Sequence, residues 1–151
     1  MAFQIFSNAF AEGGWIPELH SCKGADLSPS LEWSGEPDGA GSFALLVEDP
    51  DAPSGTFCHW VLLDIPPAVH NLAQGLKPGS VGLSGTNDFG RSGYGGPCPP
   101  KGPVHHYYFR LYALDIGTLG LRPGAGRDEL LRAIQGHILA ETQCMGRFQR
   151  H

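Results

Sequence analysis

The chain has 151 residues, of which 41% are hydrophobic and 17% charged, as is typical of one folded domain. Its formal net charge of −5 argues against nucleic acids and anionic membrane surfaces as partners. The 22 glycines and 13 prolines lie among hydrophobic runs, which indicates many short strands joined by turns rather than disorder. We therefore expect a single, mostly β domain over residues 1–151, with one or two helices.

The N-terminal segment lacks the basic start and long apolar run of a signal peptide, and no apolar run could span a membrane. The four cysteines, Cys22, Cys58, Cys98 and Cys144, include no C-x-x-C pair, which argues against a zinc ribbon or a redox dithiol. Their even number allows disulfides, but nothing in the sequence places them outside the cell. We expect a cytoplasmic protein with free thiols and no stable insertion in a membrane.

Hydrophobic runs separated by turn residues predict the strands. In chain order, the predicted strands cover residues 3–6, 31–33, 42–48, 59–65 and 105–114. Glycine and proline mark turns at 36–39, 66–67 and 93–102. One helix is predicted over 128–140, because apolar residues from Leu130 to Ile138 recur at helical spacing and Asp128 can cap its start.

The stretch DPDAP at 49–53 directly follows the third predicted strand. Proline restricts its own φ angle and favours an extended conformation in the residue before it, so the two prolines hold Asp49 and Asp51 in a set geometry. Alternation places His59 at the end of an apolar face shared with Val61 and Leu63. This pattern predicts the rim of a ligand pocket, with a packed proline turn as the structural alternative.

The predicted strand at 105–114 begins HHYYF, and alternation puts His105 and Tyr107 on one face and His106 on the other. The preceding loop, GYGGPCPPKG at 93–102, can expose backbone N–H groups as an anion nest. His59 and His105 can donate to a phosphate or a carboxylate, and we expect neighbouring carboxylates to raise the pKa values of both histidines. Together these residues favour a pocket for an anion or a zwitterion.

A metal site is a weaker interpretation of the same residues. His59, His105, Asp49 and Asp51 are suitable ligands, but their spacing matches no metal-binding motif, and hydrogen-bonded cleft residues also explain them. We predict neither a metal nor a cofactor.

The catalytic motifs that we considered do not fit the sequence either. GLSGT at 82–86 has threonine where a nucleophile elbow needs glycine, and it is better read as a turn. GYGGPC at 93–98 lacks the last glycine of a dinucleotide-binding motif. Cys98 beside His105 could act as a nucleophile, but nothing in the sequence marks it as a reactive thiolate. We predict no catalytic residue.

These motifs resemble those of the phosphatidylethanolamine-binding proteins, also called Raf kinase inhibitor-like proteins, and most closely their short bacterial and archaeal branch. The similarity covers the full chain: SPSLEW at 28–33, DPDAPSGTFCHWVLLDIP at 49–66, GYGGPCPPKG at 93–102, HHYYFRLYAL at 105–114, GHILA at 136–140 and GRFQR at 146–150. The resemblance implies a β-sandwich with one or two short helices.

The resemblance also implies which residues form the family's anion pocket in this chain. They are Asp49, Asp51, Pro53, His59, Gly96, Pro99, Pro100, His105 and Tyr107. The family usually has arginine where this chain has His106, a position that alternation directs away from the pocket. We expect a non-enzymatic protein that binds a phosphoryl or other small anionic group.

Several partners are consistent with this resemblance. By competing for a phosphorylated ligand, the protein would modulate kinase signalling or another protein. The alternative hypothesis is a protein-interaction module, such as a protease inhibitor, that acts through loops at 35–41 and 83–91. A hydrolase or a metal-assisted enzyme is the third hypothesis, and a homodimer is compatible with all three.

Overall fold

The computed structural model describes residues 2–151, which form two antiparallel sheets. The strands are β1 (Gln4–Phe6), β2 (Leu31–Ser34), β3 (Ser42–Asp49), β4 (Phe57–Ile65), β5 (Asn71–Leu72), β6 (Leu83–Ser84), β7 (His105–Leu114) and β8 (Ile138–Phe148). The smaller sheet has the order β1-β2-β5, and the larger has the order β6-β4-β3-β7-β8. A 3₁₀ helix (Glu18–His20) and one α-helix, α1 (Arg127–Ile134), accompany them. The predicted mostly β fold is confirmed.

The two sheets pack face to face as a β-sandwich. All eight residues of β3 are buried, because this strand lies at the centre of the larger sheet with a packed layer on each side. Its Phe43, Leu45 and Val47 share a core with Leu31 and Trp33 of the smaller sheet. Each of the five predicted strands is present, with bounds that differ by at most two residues.

The opposite face of the larger sheet is covered by α1. Ala44 and Leu46 of β3 share a second core with Leu130 and Ile134 of the helix. The two cores lie on either side of one sheet, so residues 2–151 form a single domain. Strands that are buried on both faces have continuous hydrophobic sequences, which explains why 42–47 does not alternate.

The predicted helix over 128–140 was wrong at its C-terminal end. The helix stops at Ile134, and Gly136 has a φ of +82°, a left-handed conformation that ends helices. Residues Ile138–Phe148 form β8, which pairs with β7 from Leu114↔Ile138 to His105↔Phe148. Much of this edge strand is exposed or half-buried, so its hydrophobic alternation is weak. Gly126, not Asp128, is the N-cap.

A buried carboxylate fastens α1 to the larger sheet. Glu48 is 5% exposed and accepts hydrogen bonds from Arg110 Nε of β7 at 2.8 Å and from Arg127 Nε of α1 at 2.6 Å. Each carboxylate oxygen therefore has a cationic donor. Asp49 follows Glu48 in the same strand, so its side chain is directed to the opposite face of the sheet.

The prediction of free thiols was wrong for two of the four cysteines. Cys22 and Cys98 form a disulfide, whereas Cys58 and Cys144 are free and buried. The bridge joins the turn after the 3₁₀ helix to the loop before β7, across 76 residues of sequence. Disulfides persist mainly in oxidising compartments, so the cytoplasmic location stays a prediction. No helix within residues 2–151 is long and apolar enough to cross a membrane.

Replacing Cys22 and Cys98 together by serine should lower the free energy of unfolding by about 2–4 kcal/mol, because the cross-link restricts the unfolded chain. Urea unfolding of the oxidised protein and the double variant measures this difference. Dithiothreitol should lower the unfolding midpoint of the unmodified sequence and leave that of the variant unchanged. An equal effect of the reductant on both proteins would contradict the assignment.

Candidate functional site

A cavity of about 200 Å³ lies where β3 ends and β4 and β7 begin. The antiparallel register explains this position, because Asp49 at the end of β3 is paired with Phe57 of β4, and Glu48 is paired with Tyr108 of β7. Seven of the nine predicted site residues line the cavity: Asp49, Pro53, His59, Pro99, Pro100, His105 and Tyr107. Segments separated by more than forty residues thus meet at one end of the larger sheet.

A buried hydrogen-bond partner, Asp49, holds His105 at the floor of the cavity. His105 Nδ1–H donates to Asp49 Oδ2 at 2.6 Å, and the two residues are 2% and 3% exposed. The other carboxylate oxygen accepts the backbone N–H of Asp51 at 2.8 Å, which joins Asp49 to the proline turn. With Nδ1 occupied, Nε2 is the nitrogen of His105 that is left for a ligand. Asp49 therefore orients the imidazole.

His59 reaches the cavity through a β-bulge. β3 and β4 pair Val47 with Trp60 and Glu48 with Cys58, so His59 is the extra residue of β4. The bulge shifts the alternation that follows, and Val61 joins the core under α1 while His59 faces the cavity. The predicted shared face of His59 and Val61 was therefore wrong, because sequence alternation contains no sign of the bulge.

The environment of His59 lowers its pKa. Burial disfavours the charged ring and outweighs the opposing effects of the Gly95 carbonyl and the Asp49 and Asp88 carboxylates. The residue is 3% exposed, and its Nδ1–H donates to Gly95 O at 2.7 Å. The expectation that nearby carboxylates raise the pKa was wrong for this histidine, because desolvation is the larger effect.

Tyr107 lines the cavity and has a buried, unsatisfied hydroxyl. The side chain is 1% exposed, and its oxygen has no hydrogen-bond partner among residues 2–151. Its ring meets that of His59 edge-on, with 5.2 Å between centroids, and burial raises the pKa of the phenol, which keeps its proton. Buried polar groups are nearly always paired, so this hydroxyl is exceptional as a donor without an acceptor.

Two predicted site residues lie outside the lining. Asp51 Oδ2 accepts the backbone N–H and the Nδ1–H of His106, at 2.9 and 2.7 Å, on the outer face of β7. Burial opposes ionisation of Asp51, but these hydrogen bonds prevail and lower its pKa. Gly96 donates its N–H to Asp26 Oδ1 at 2.8 Å. Both residues position neighbouring segments, and His106 points away from the cavity as alternation predicts.

The loop at 93–102 does not form the predicted nest of glycine amides. The Gly95 N–H donates to His59 O at 2.9 Å, and the Gly96 N–H donates to Asp26. Proline has no N–H, so Cys98 supplies the only backbone donor between residues 97 and 100. Cys98 lines the cavity, so it replaces Gly96 as the candidate amide donor of this loop.

Sequence reasoning missed four lining residues: Ala52, Phe57, Phe89 and Cys98. Phe57 lies two positions before His59 on the same strand face, so alternation could have found it. The ring of Phe89 packs edge-on against that of Phe57, with 4.8 Å between the ring centroids. Phe89 lies in a loop whose sequence contains no motif that predicts a place in the cavity. The two phenyl rings make one wall of the cavity apolar, beside a floor of histidine, tyrosine and carboxylate.

The chemistry available at the cavity is limited. Cys98 has no thiol to react because its sulfur is in the disulfide, and burial raises the pKa of Cys58 to about 12. Among residues 2–151, no three histidine, cysteine or carboxylate side chains are grouped so that they could hold a metal ion. None of the described residues that line the cavity is a lysine or an arginine.

The fold and the cavity define the class: a two-layer β-sandwich with a small ligand-sized cavity at one end of its larger sheet. A family model described as phosphatidylethanolamine-binding protein matches residues 6–149. The chain is 44% identical to a UPF0098 protein of Aquifex aeolicus over 151 residues, covering 97% of this chain and 88% of that protein.

Two solved structures are similar over nearly the whole chain. CT736 of Chlamydia trachomatis, described as a homologue of phosphatidylethanolamine-binding protein, has a TM-score of 0.91 and 40% identity, with 99% of each chain covered. YbcL of E. coli, described as a member of the mammalian family, has a TM-score of 0.92 and 33% identity, with 100% of each covered. The chain belongs to the phosphatidylethanolamine-binding protein family, in its bacterial and archaeal branch.

The lowered pKa of His59 predicts a loss of stability in acid. Unfolded histidine takes up a proton near pH 6.5, whereas folded His59 does so only at lower pH, so acid favours the unfolded chain between these values. Stability should therefore be highest above about pH 6.5 and fall as the pH drops. The variant His59→Gln cannot titrate and keeps a donor for Gly95, so its stability should fall less steeply in urea unfolding at pH 5–7.5. Parallel curves for the two proteins would contradict this assignment.

Proposed function

We propose that this protein is a non-enzymatic binding protein whose cavity accepts a phosphoryl or other small anionic group. The observation that carries the proposal is the buried, unpartnered hydroxyl of Tyr107, a residue that lines the cavity together with His105. An anionic oxygen is the acceptor that would satisfy this hydroxyl. Leaving it unpaired costs about 1–3 kcal/mol, which ligand binding would recover.

The remaining groups support the same ligand chemistry. His105 Nε2 and the Cys98 amide provide two further positions for hydrogen bonds to a ligand, and the Asp49 carboxylate fixes the orientation of the His105 ring. A volume of about 200 Å³ accommodates a phosphoryl group and a short substituent. The apolar wall of Phe57 and Phe89 suits that substituent. The arrangement favours reversible recognition of an anion over a covalent reaction.

The proposed effect on other proteins rests on the position of Phe89. This side chain is 39% exposed and belongs to the loop at 83–91, yet it also lines the cavity. A protein that docked on this loop, whether a kinase, a protease or a second copy of the chain, would contact the cavity mouth. Ligand and protein partner would then compete, so the protein-interaction hypothesis and the pocket hypothesis share one surface.

Neighbouring histidines provide a matched test of the pocket. His105→Ala should reduce the affinity for inorganic phosphate by about tenfold or more, because it removes a buried donor. His106→Ala should leave the affinity unchanged, because this side chain pairs with Asp51 on the other face. Isothermal titration calorimetry at pH 6 measures both. If phosphate binds the wild type and both variants equally, the cavity is not its site.

Neighbouring tyrosines test the role of the free hydroxyl. Tyr107→Phe should weaken phosphate binding by about tenfold, yet it should leave the ligand-free protein as stable as before, or up to about 1 kcal/mol more stable. The substitution should weaken binding without lowering the stability of the ligand-free protein, because the hydroxyl is unpaired until a ligand binds. Tyr108→Phe, on the outer face, is the control for binding. A Tyr107→Phe variant that binds like the wild type would contradict the proposed contact.

A further inference from the structure

We propose that His59 accepts a hydrogen bond from the ligand and thereby selects a phosphoryl group that carries a proton, such as a singly ionised phosphate monoester. This inference rests on the proposed function, because it specifies which anions the same cavity accepts. It follows from the hydrogen bonds and charges that surround the cavity.

The contact with Gly95 determines the tautomer of His59. A carbonyl oxygen can only accept, so a neutral ring must carry its proton on Nδ1, which lies 2.7 Å from Gly95 O. Nε2 then has a lone pair and no proton. Because the ring lines the cavity while Nδ1 faces Gly95, Nε2 is the nitrogen that meets a ligand. A ligand must therefore bring a donor to this position.

The surroundings of His59 oppose a positive charge on its ring. The ring packs against three aromatic side chains, Phe57, Phe89 and Tyr107, at centroid distances of 4.9, 5.5 and 5.2 Å. The titratable groups near it on neighbouring elements are Asp49, Asp88, His105 and Tyr107. The two carboxylates favour protonation of His59, but burial outweighs them and lowers its pKa.

The charge balance of the cavity leads to the same ligand. Asp49 is paired with His105, and no lysine or arginine is among the described residues of the lining. A dianion would therefore enter a site of neutral or negative charge without the compensation that buried charges need. A phosphate monoester with one proton has a single charge. Its ionised oxygens accept from Tyr107 and His105, and its P–O–H donates to His59 Nε2.

Methyl phosphate and methyl sulfate are the probes that test the effect of this proton on binding. Both are monoanions at pH 5.5 and nearly equal in size, but only methyl phosphate has an O–H to donate. In calorimetric titrations, methyl phosphate should bind the unmodified protein about tenfold tighter or more, because methyl sulfate leaves a buried acceptor unpaired. The ratio of the two affinities should fall above about pH 6, where a phosphate monoester loses its second proton.

A variant and a spectroscopic measurement assign the selectivity to His59. His59→Phe keeps a ring among the aromatic side chains and removes the acceptor, so it should bind the two ligands with similar affinity. In ¹⁵N NMR spectra of the unmodified protein with methyl phosphate, His59 should be neutral and protonated on Nδ1. This measurement decides the question even if the variant does not fold.

The possible failures are distinguishable. Equal affinity of the unmodified protein for methyl phosphate and methyl sulfate, or a cationic His59 in the complex, would overturn the selection of a protonated ligand and leave the anion pocket intact. If neither ligand binds, and inorganic phosphate does not bind either, both this inference and the proposed function are wrong.

Discussion

The cavity depends on one close contact, between the backbone of Gly96 and the carbonyl group of His20. A Cβ atom at position 96 would lie 2.0 Å from that oxygen, so a larger residue would push the loop away from the C-terminal end of the 3₁₀ helix. The hydrogen bond from Gly96 to Asp26 and the disulfide between Cys22 and Cys98 hold the loop at 93–102 against the segment at 20–26. Only with the loop in this position does Gly95 O meet His59, which sets the hydrogen-bonding role of the histidine. A contact outside the cavity thus determines the chemistry inside it.

The electrostatics of the site differ from those of proteins that attract anions with clustered arginine or lysine. The whole chain is acidic, with a formal net charge of −5, so it offers little long-range attraction to a negative ligand. In the proposed site, recognition of an anion would depend on short-range hydrogen bonds from Tyr107 and from the His105–Asp49 pair, in a cavity with one apolar wall. Such a site gains selectivity from the number and direction of its donors and acceptors rather than from the rate of encounter.

Much of this architecture could be predicted from the sequence, and the omissions have definite physical causes. Strand alternation was sufficient for His105 and Tyr107, because β7 is regular through ten residues. It failed at His59, where a bulge adds a residue to one strand only, since bulges arise from pairing with a neighbour rather than from local sequence. The helix was extended too far because the apolar spacing continues past Gly136, whose left-handed conformation is not visible in the pattern. The place of Cys98 in the cavity lining depends on a disulfide with Cys22, which is 76 residues away. The spacing of the cysteines in the sequence cannot reveal this pairing.

Glu48 and Asp49 are consecutive carboxylates that anchor the end of β3 from opposite sides. Glu48 is tied to α1 and β7 through two arginines, and Asp49 is tied to His105. The strand end is therefore clamped before the chain enters the turn at 50–56. A strand end fixed on both faces separates the turn from the floor of the cavity, because the contacts of Glu48 and Asp49 with α1 and β7 do not involve side chains of the turn. Substitutions in this turn would then change the shape of the cavity entrance and leave Asp49 and His105 in place.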